Sequence, residues 1–452
     1  MSGSSPAMAS MARPAAVAPI EPAPIGARRA APAASRRGVA AAVIGNALEF
    51  YDFTTYAFFA VMIGRTFFPA GDPWVTLLLS VATFGVGFIT RPIGGIVIGA
   101  YADRAGRKPA MLLTIGLMAV GMLLLALTPG FATIGYAAPA LIVLGRLIQG
   151  FALGGEVGPS TAYLLESAPP GRRGLYASWQ IASQGATTLC AGLIGVLLSL
   201  VLSAEQMQGW GWRIPFLLGL LIVPVGLYIR RALPETAGEA GPHAAEASAA
   251  AVLRRLAGSH GQALLLTVPL LLAATVSNFI GSYMTTYAIT TLHLPASLSI
   301  AATVVVGLGV LVFAPVGGWL SDRVGRRAVM ILPRLALTLI AYPAYLLMVQ
   351  APGAATLLGV TALTTALAAI SGAASLVAIP EMLPRAVRSA GLSISYAFTV
   401  TVFGGTTQLV VTWLIGVTGD PLSPAYYMIA ASVISLLAMV AMPETGRAAL
   451  DA

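Results

Sequence analysis

Charge is scarce in this sequence. Asp, Glu, Lys and Arg make up only 9% of its 452 residues, against about 25% in an ordinary soluble domain. Lysine is almost missing, with Lys108 as the sole example. So few charges cannot cover the water-facing surface of a long chain that is 58% hydrophobic. The fitting solvent is a lipid bilayer, where each crossing takes about 20 mostly apolar residues. Cysteine is nearly absent too. Cys190 alone excludes a disulfide within the chain, argues against a structural metal and reads as a small packing residue. His243, His260 and His293 share no metal-ligand spacing, so no metal is expected. A Walker A loop is excluded, because Pro109 follows Lys108 where Ser or Thr is needed. HExxH, GxGD and a Ser–Lys pair are all missing, which speaks against a membrane enzyme.

What is present is a series of twelve apolar runs, at about 40–68, 74–100, 109–128, 137–165, 176–202, 213–231, 263–291, 297–320, 329–349, 354–379, 390–417 and 424–442. They lack the alternation of barrel strands, and an open sheet cannot cross lipid, so they read as helices. The expected fold is an all-α integral membrane protein with twelve transmembrane helices. Residues 1–38, rich in Ala, Pro, Ser and Arg, read as a disordered cytoplasmic tail. A first bundle is expected over 39–231, a polar cytoplasmic linker over 232–262, a second bundle over 263–442 and a short tail over 443–452.

The cations collect in alternate connections. Arg104, Arg107 and Lys108 follow the second run, Arg172 and Arg173 the fourth, Arg323, Arg326 and Arg327 the eighth, and Arg385 and Arg388 the tenth. The opposite loops hold Asp72, Glu205 and Asp420. The positive-inside rule then places both termini in the cytoplasm of a multi-pass plasma-membrane protein. Such loop asymmetry is a topology signal, so a nucleic-acid partner is not expected despite the net charge of +9.

The two halves echo each other. "GAYADRAGRK" at 99–108 matches "GWLSDRVGRR" at 318–327, "ESAPPGRRG" at 166–174 resembles "EMLPRAVRS" at 381–389, and "LPET" at 233–236 matches "MPET" at 442–445. Three anchors in the same order imply duplication of a six-helix unit, hence two pseudo-symmetric bundles. The repeated basic loop resembles the signature of the major facilitator superfamily. Within it, "GNALEFYDF" (45–53), "TRPIGG" (90–95), "GRLIQGFALGGE" (145–156) and "GWGWRIPF" (209–216) resemble the metabolite:proton symporter family. "YASWQIASQ" (176–184) is most similar to its citrate and tricarballylate members. The resemblance implies a secondary active transporter that imports a small organic anion, a di- or tricarboxylate, by proton symport. It needs no cofactor. Protons are the expected coupling ion, with sodium as the alternative, and a monomer in the bilayer is the expected state. A symporter of zwitterionic osmolytes is the competing reading. It needs aromatic faces around an ammonium, for which Phe50, Tyr51, Tyr56 and Trp179 are available. Drug exporters of the superfamily carry a Gly-Pro pair in the fifth span, which "QGATTLCAGLIG" (184–195) lacks.

Ionisable groups within apolar spans mark candidate functional sites, because each costs at least about 2.5–3.5 kcal/mol at the bilayer centre. Glu49, Asp52, Arg91, Arg146 and Glu156 qualify. Asn46, Glu49, Asp52 and Tyr56 share one face of the first helix, and Arg146, Gln149 and Glu156 one face of the fourth. At ~1.5 Å per residue, Glu49, Arg91 and Arg146 all lie about 14 Å from a membrane surface and Asp52 about 18 Å. The expectation is that Glu49 faces Arg91 and Asp52 approaches Arg146, with Asp52, Glu49 and Arg91 coupling the proton. Arg146, Gln149, Tyr56, Asn46, Gln180, Gln184, Asn278 and Tyr283 are the candidate substrate contacts. Asp103, Arg104, Arg107, Asp322, Arg323, Arg326 and Glu156 are candidate gate residues. Arg334, near the start of the ninth run, is expected to snorkel to the interface.

Overall fold

The computed structural model describes residues 36–105, 107–154, 157–221, 223–224, 249–383 and 385–446. Nearly all of them are helical, and no β-strand occurs among them. In chain order α1 is Arg36–Phe67, and α2 is Pro73–Ile89 plus Arg91–Ala105, parted only at Thr90. α3 is Arg107–Leu127, α4 is Ala137–Ala152 plus Val157–Glu166, α5 is Arg173–Val201, and α6 opens with Ile214–Gly219. The second half holds α7 (Ala249–Thr290), α8 (Ala296–Val324), α9 (Arg326–Gln350) and α10 (Ala354–Glu381). α11 is Arg385–Thr399 and Gly405–Thr418, joined by a π-helical turn at Val400–Gly404, and α12 is Ser423–Ala441. Among the described residues, eight helical stretches are long and apolar enough to cross a membrane. Shorter apolar helices at Leu112–Leu127 and Ala137–Ala152 add to them, and with α1 and α6 the order is that of the twelve apolar runs.

Local chemistry sets the helix ends. Asp72 caps α2 by accepting from the Trp74 N–H, and Pro73 occupies the first turn, where a missing N–H costs nothing. α8 stops at Gly325, whose φ of +111° suits glycine alone. Inside α7, Pro269 cannot supply an N–H. There Ser435 of α12 enters the helical ladder: its Oγ accepts from the Ala273 N–H (2.9 Å) and donates to the Pro269 carbonyl (2.5 Å).

Each half has its own apolar core. Phe53, Phe84, Phe88 and Trp212 lie in the first, and Tyr287, Leu337, Tyr345 and Met428 in the second. The halves meet along two seams. α5 lies against α8 from end to end, because glycines let the backbones touch: a Cβ on Gly174 would collide with Gly318, and one on Gly307 with Leu189. α2 lies against α11, where Gly85 meets Gly405 and the Trp74 indole donates to the Thr412 carbonyl at 3.2 Å. Gly150 and Gly154 likewise bring α4 onto Gly87 and Gly95 of α2, as small residues four apart allow.

The structure departs from the sequence expectations in several places. The fourth and eleventh spans are not continuous α-helices. α4 ends its first segment at Leu153, and α11 widens into the π turn. α7 begins at Ala249, inside the stretch read as a linker. Cys190 is exposed on α5 rather than packed inside. Of the expected tails at 1–38 and 443–452, residues 36–38 already belong to α1, while 1–35, 447–452 and the linker before Ala249 lie outside the described residues.

Candidate functional site

The expected meeting of Asp52 and Arg146 is present. Arg146 Nη1 lies 2.8 Å from Asp52 Oδ2, and both side chains are fully buried. Arg146 also donates to Gln149 Oε1 at 3.0 Å. Three rings shield the guanidinium, with centroids 4.2 Å (Phe53), 4.6 Å (Tyr56) and 5.5 Å (Phe84) from its central carbon. Gly121 of α3 leaves the room that Gln149 fills. The pair joins α1 to α4 without contact with water. Breaking such a pair by deleting one partner costs about 3–5 kcal/mol, since the other charge stays buried. Asp52 Oδ1 and Arg146 Nε and Nη2 have no hydrogen-bond partner among the described residues. A proton could therefore add at Oδ1 without first displacing the arginine.

Arg91 is buried beside this pair and stacks on Phe88 (4.2 Å) and on Phe53 (4.5 Å), the ring that also covers Arg146. The Glu49 side chain lies outside the described residues, so the expected Glu49–Arg91 approach does too. Asn46 zips α1 to α5. It donates to the Gln180 carbonyl (3.0 Å) and to Ser183 (2.6 Å), and accepts from the Gln180 amide (2.6 Å). The Tyr56 hydroxyl donates to the Ser80 carbonyl, and Tyr283 is bonded to Thr412 at 2.9 Å.

A cavity of about 790 Å³, open mouth included, lies between the seams, walled by α5, α7, α8, α10 and α11. Of the candidate substrate contacts, Gln180, Gln184 and Asn278 line it, whereas Arg146, Gln149, Tyr56, Asn46 and Tyr283 do not. Sequence reasoning missed Tyr396 on α11, which lines the cavity within reach of Gln184 and in the field of Arg91. It also missed Ser277, which lines this cavity and a smaller one of about 250 Å³.

At the end of the molecule carrying the basic loops, Asp322 on α8 accepts from the N–H groups of Gly174 (2.7 Å) and Leu175 (2.9 Å) at the start of α5. A carboxylate at a helix N-terminus is favoured by the exposed N–H groups and the dipole. Arg326 pairs with Asp322 (2.8 Å) and Glu381 (2.9 Å). Glu166 of α4 meets Arg388 of α11 at 3.5 Å, an ion pair between the halves. Arg323 stands apart, over the Trp319 ring at 4.2 Å. The side chains of Asp103, Arg104 and Arg107, and all of Glu156, lie outside the described residues. The "MPET" repeat also finds a place: Glu444 accepts from the N–H groups of Arg326 (2.8 Å) and Arg327 (3.0 Å) at the start of α9. Partial burial pushes its pKa up, but the N–H groups of Arg326, Gly446 and Arg327 outweigh that and hold it below the usual range.

Arg334 corrects the sequence reading. It does not snorkel; it is fully buried. Its Nη1 donates to Ser277 Oγ at 2.9 Å and toward the Ala273 carbonyl at 3.3 Å. Its signal was available, since Arg334 lies about 12 Å along α9 from Arg326, comparable with the depth that singled out Arg91.

Comparison with known proteins gives a consistent picture. The Sugar (and other) transporter family pattern matches residues 38–264 and 237–452. The chain is 38% identical to the citrate-proton symporter of Salmonella typhi, over 87% of this chain and 91% of that protein. It is 33% identical to the proline/betaine transporter of Salmonella typhimurium, over 90% of this chain and 83% of that protein. Among solved structures, D-xylose-proton symporter superposes with a TM-score of 0.70 at 18% identity, covering 91% of this chain and 99% of that one. That likeness carries the fold: two six-helix bundles.

Proposed function

The chain belongs to the Sugar (and other) transporter family of membrane transporters, and from that premise we propose that it imports a small organic acid, a di- or tricarboxylate, by proton symport through alternating access. The observation that carries this reading is the Asp52–Arg146 pair sealed between α1 and α4. With Asp52 ionised, the pair clamps the two helices. A proton on Asp52 weakens the attraction and frees Arg146 to relax, which loosens α1 against α4 inside the first half. Burial and the arginine act on Asp52 in opposite directions, so moving the arginine changes the proton affinity. Geometry and protonation are thereby linked.

The cavity supplies the other half of the cycle. Gln184 and Asn278 are amide donors suited to carboxylate oxygens. Of the aromatic faces that an osmolyte reading needs, Tyr56 is taken by the protein's own Arg146, and none of Phe50, Tyr51, Tyr56 and Trp179 lines the cavity. A carboxylate substrate also accords with the citrate-proton symporter of Salmonella typhi among the relatives. The driving force suffices. One elementary charge crossing 100 mV releases about 2.3 kcal/mol, against about 1.4 kcal/mol for a tenfold concentration ratio. The basic loops support a plasma-membrane topology with both termini in the cytoplasm, and on that side Asp322 at the α5 N-terminus would act as the inner latch.

Uptake by proteoliposomes tests this. A proton gradient should drive citrate, tricarballylate or another polycarboxylate above equilibrium, and a proton ionophore should abolish the accumulation. Asp52→Asn should keep exchange but lose concentrative uptake. Accumulation that depends on sodium and ignores the ionophore would exclude proton coupling. Uptake of betaine or proline with no carboxylate uptake would exclude the substrate class.

A further inference from the structure

Arg334 is a buried cation that the coupling scheme does not use. The four ion pairs among the described residues are Asp52–Arg146, Asp322–Arg326, Glu381–Arg326 and Glu166–Arg388, so no described carboxylate answers Arg334. Its Nε and Nη2 have no hydrogen-bond partner there either. Even a buried ion pair can often be replaced by well-packed apolar side chains at no cost in stability, and a lone guanidinium has no partner charge to offset its desolvation. A solitary buried guanidinium is therefore a poor device for holding a fold.

Its surroundings point toward the cavity. α7 is opened at Pro269, where Ser435 enters the ladder, and one turn further on Arg334 donates to Ala273 and Ser277. Ser277 lies on the wall of both cavities. Its Oγ accepts from the guanidinium, so its own proton remains to be donated, and no described residue takes it. A hydroxyl that accepts from a cation is a stronger donor in turn. Gln184 of α5 and Tyr396 of α11 line the same cavity, and Tyr396 lies in the field of Arg91. Positive charge thus backs the cavity from both halves.

We propose that Ser277, polarised by Arg334, is a second carboxylate subsite, so that the transported anion carries at least two carboxylates and bridges the two halves. This deepens, and rests on, the anion reading above. Ser277 touches the substrate, and Arg334 is a positioning residue that acts through it. A single carboxylate engages only the Gln184 side. A second one, at Ser277, ties α7 to α5 through the ligand, so a polycarboxylate favours approach of the halves where a monocarboxylate does not.

Equilibrium binding to the purified full-length protein tests the assignment, with citrate, tricarballylate, succinate, butyrate and betaine as probes. The wild type should bind at least one polycarboxylate 100-fold or more tighter than butyrate. Arg334→Met and Ser277→Ala should each weaken that probe at least tenfold and leave butyrate unchanged, and Arg334→Lys should restore most of the loss. A monodisperse elution profile and a melting temperature no lower than that of the wild type establish that each variant is folded. If Arg334→Met fails to fold, Ser277→Ala decides alone, because it keeps the buried charge. Unchanged polycarboxylate binding in the folded variants, or equal weakening of butyrate, would overturn the second subsite while leaving anion transport intact. A wild type that binds betaine and no carboxylate would instead remove the anion reading on which the subsite rests.

Discussion

The two halves treat buried charge in opposite ways. The first encloses Arg146 with a carboxylate, an amide and three aromatic rings. The second encloses Arg334 with a serine and a carbonyl, and gives it no acid among the described residues. A closed pair can respond to a proton, because one member can be neutralised. A lone cation can respond only to an anion that arrives. The duplicated fold has thus been fitted with a proton-responsive element on one side and an anion-responsive one on the other.

Breaking the closed pair should have the largest effect. Arg146→Ala strands Asp52 and should lower unfolding stability by about 3–5 kcal/mol, read as a fall in melting temperature in detergent. The double variant Asp52→Asn with Arg146→Gln should regain most of that stability without regaining concentrative uptake. A single variant as stable as wild type would erase the contrast between the halves. Next comes the latch between them. Asp322→Ala removes two charge-assisted bonds to the α5 N-terminus, each worth about 1.5–3 kcal/mol. A cysteine placed at the buried Ser178, in a Cys190→Ser background, should then react with a polar thiol reagent at least tenfold faster. An unchanged rate would mean that Asp322 does not hold that end shut. Arg334→Met should behave unlike Arg146→Ala, with a melting temperature equal to or above that of wild type. Marked destabilisation would show that the lone cation serves the fold after all. The smallest effect concerns Glu444. Its folded pKa lies below the unfolded value of 4.5, so it adds stability above that pH and loses it as pH falls through the folded value. Because it is exposed, solvent screening keeps the contribution small. Glu444→Gln should slightly flatten the acid limb of a melting-temperature profile between pH 5 and about 3 and change nothing at pH 7.

Much of this could be read from the chain, and the rest failed for identifiable reasons. The spans follow from apolar length alone, since lipid leaves the backbone no other option. Asp52 and Arg146 found each other because depth along a helix is additive in residue number. Arg334 departs from the sequence expectation because closeness to a helix end does not by itself give access to the interface, and only packing shows which way a long side chain runs. The π turn at Val400–Gly404 and the interruption after Leu153 left no composition signal strong enough to separate them from a continuous span. The cavity was the least legible part. Ser277 and Tyr396 are ordinary residues that become wall positions only once α7 and α11 face one another.

The seam between α5 and α8 carries a practical consequence. Backbone rides on backbone from Gly174 to Gly192, so one added methyl group at Gly185 or Gly307 would act as a wedge. Tolerance to substitution should therefore run in a narrow intolerant stripe along one side of each helix, with permissive faces beside it. A wedge at one end of that stripe offers a way to prop the molecule ajar and capture a shape that the wild type visits only in passing.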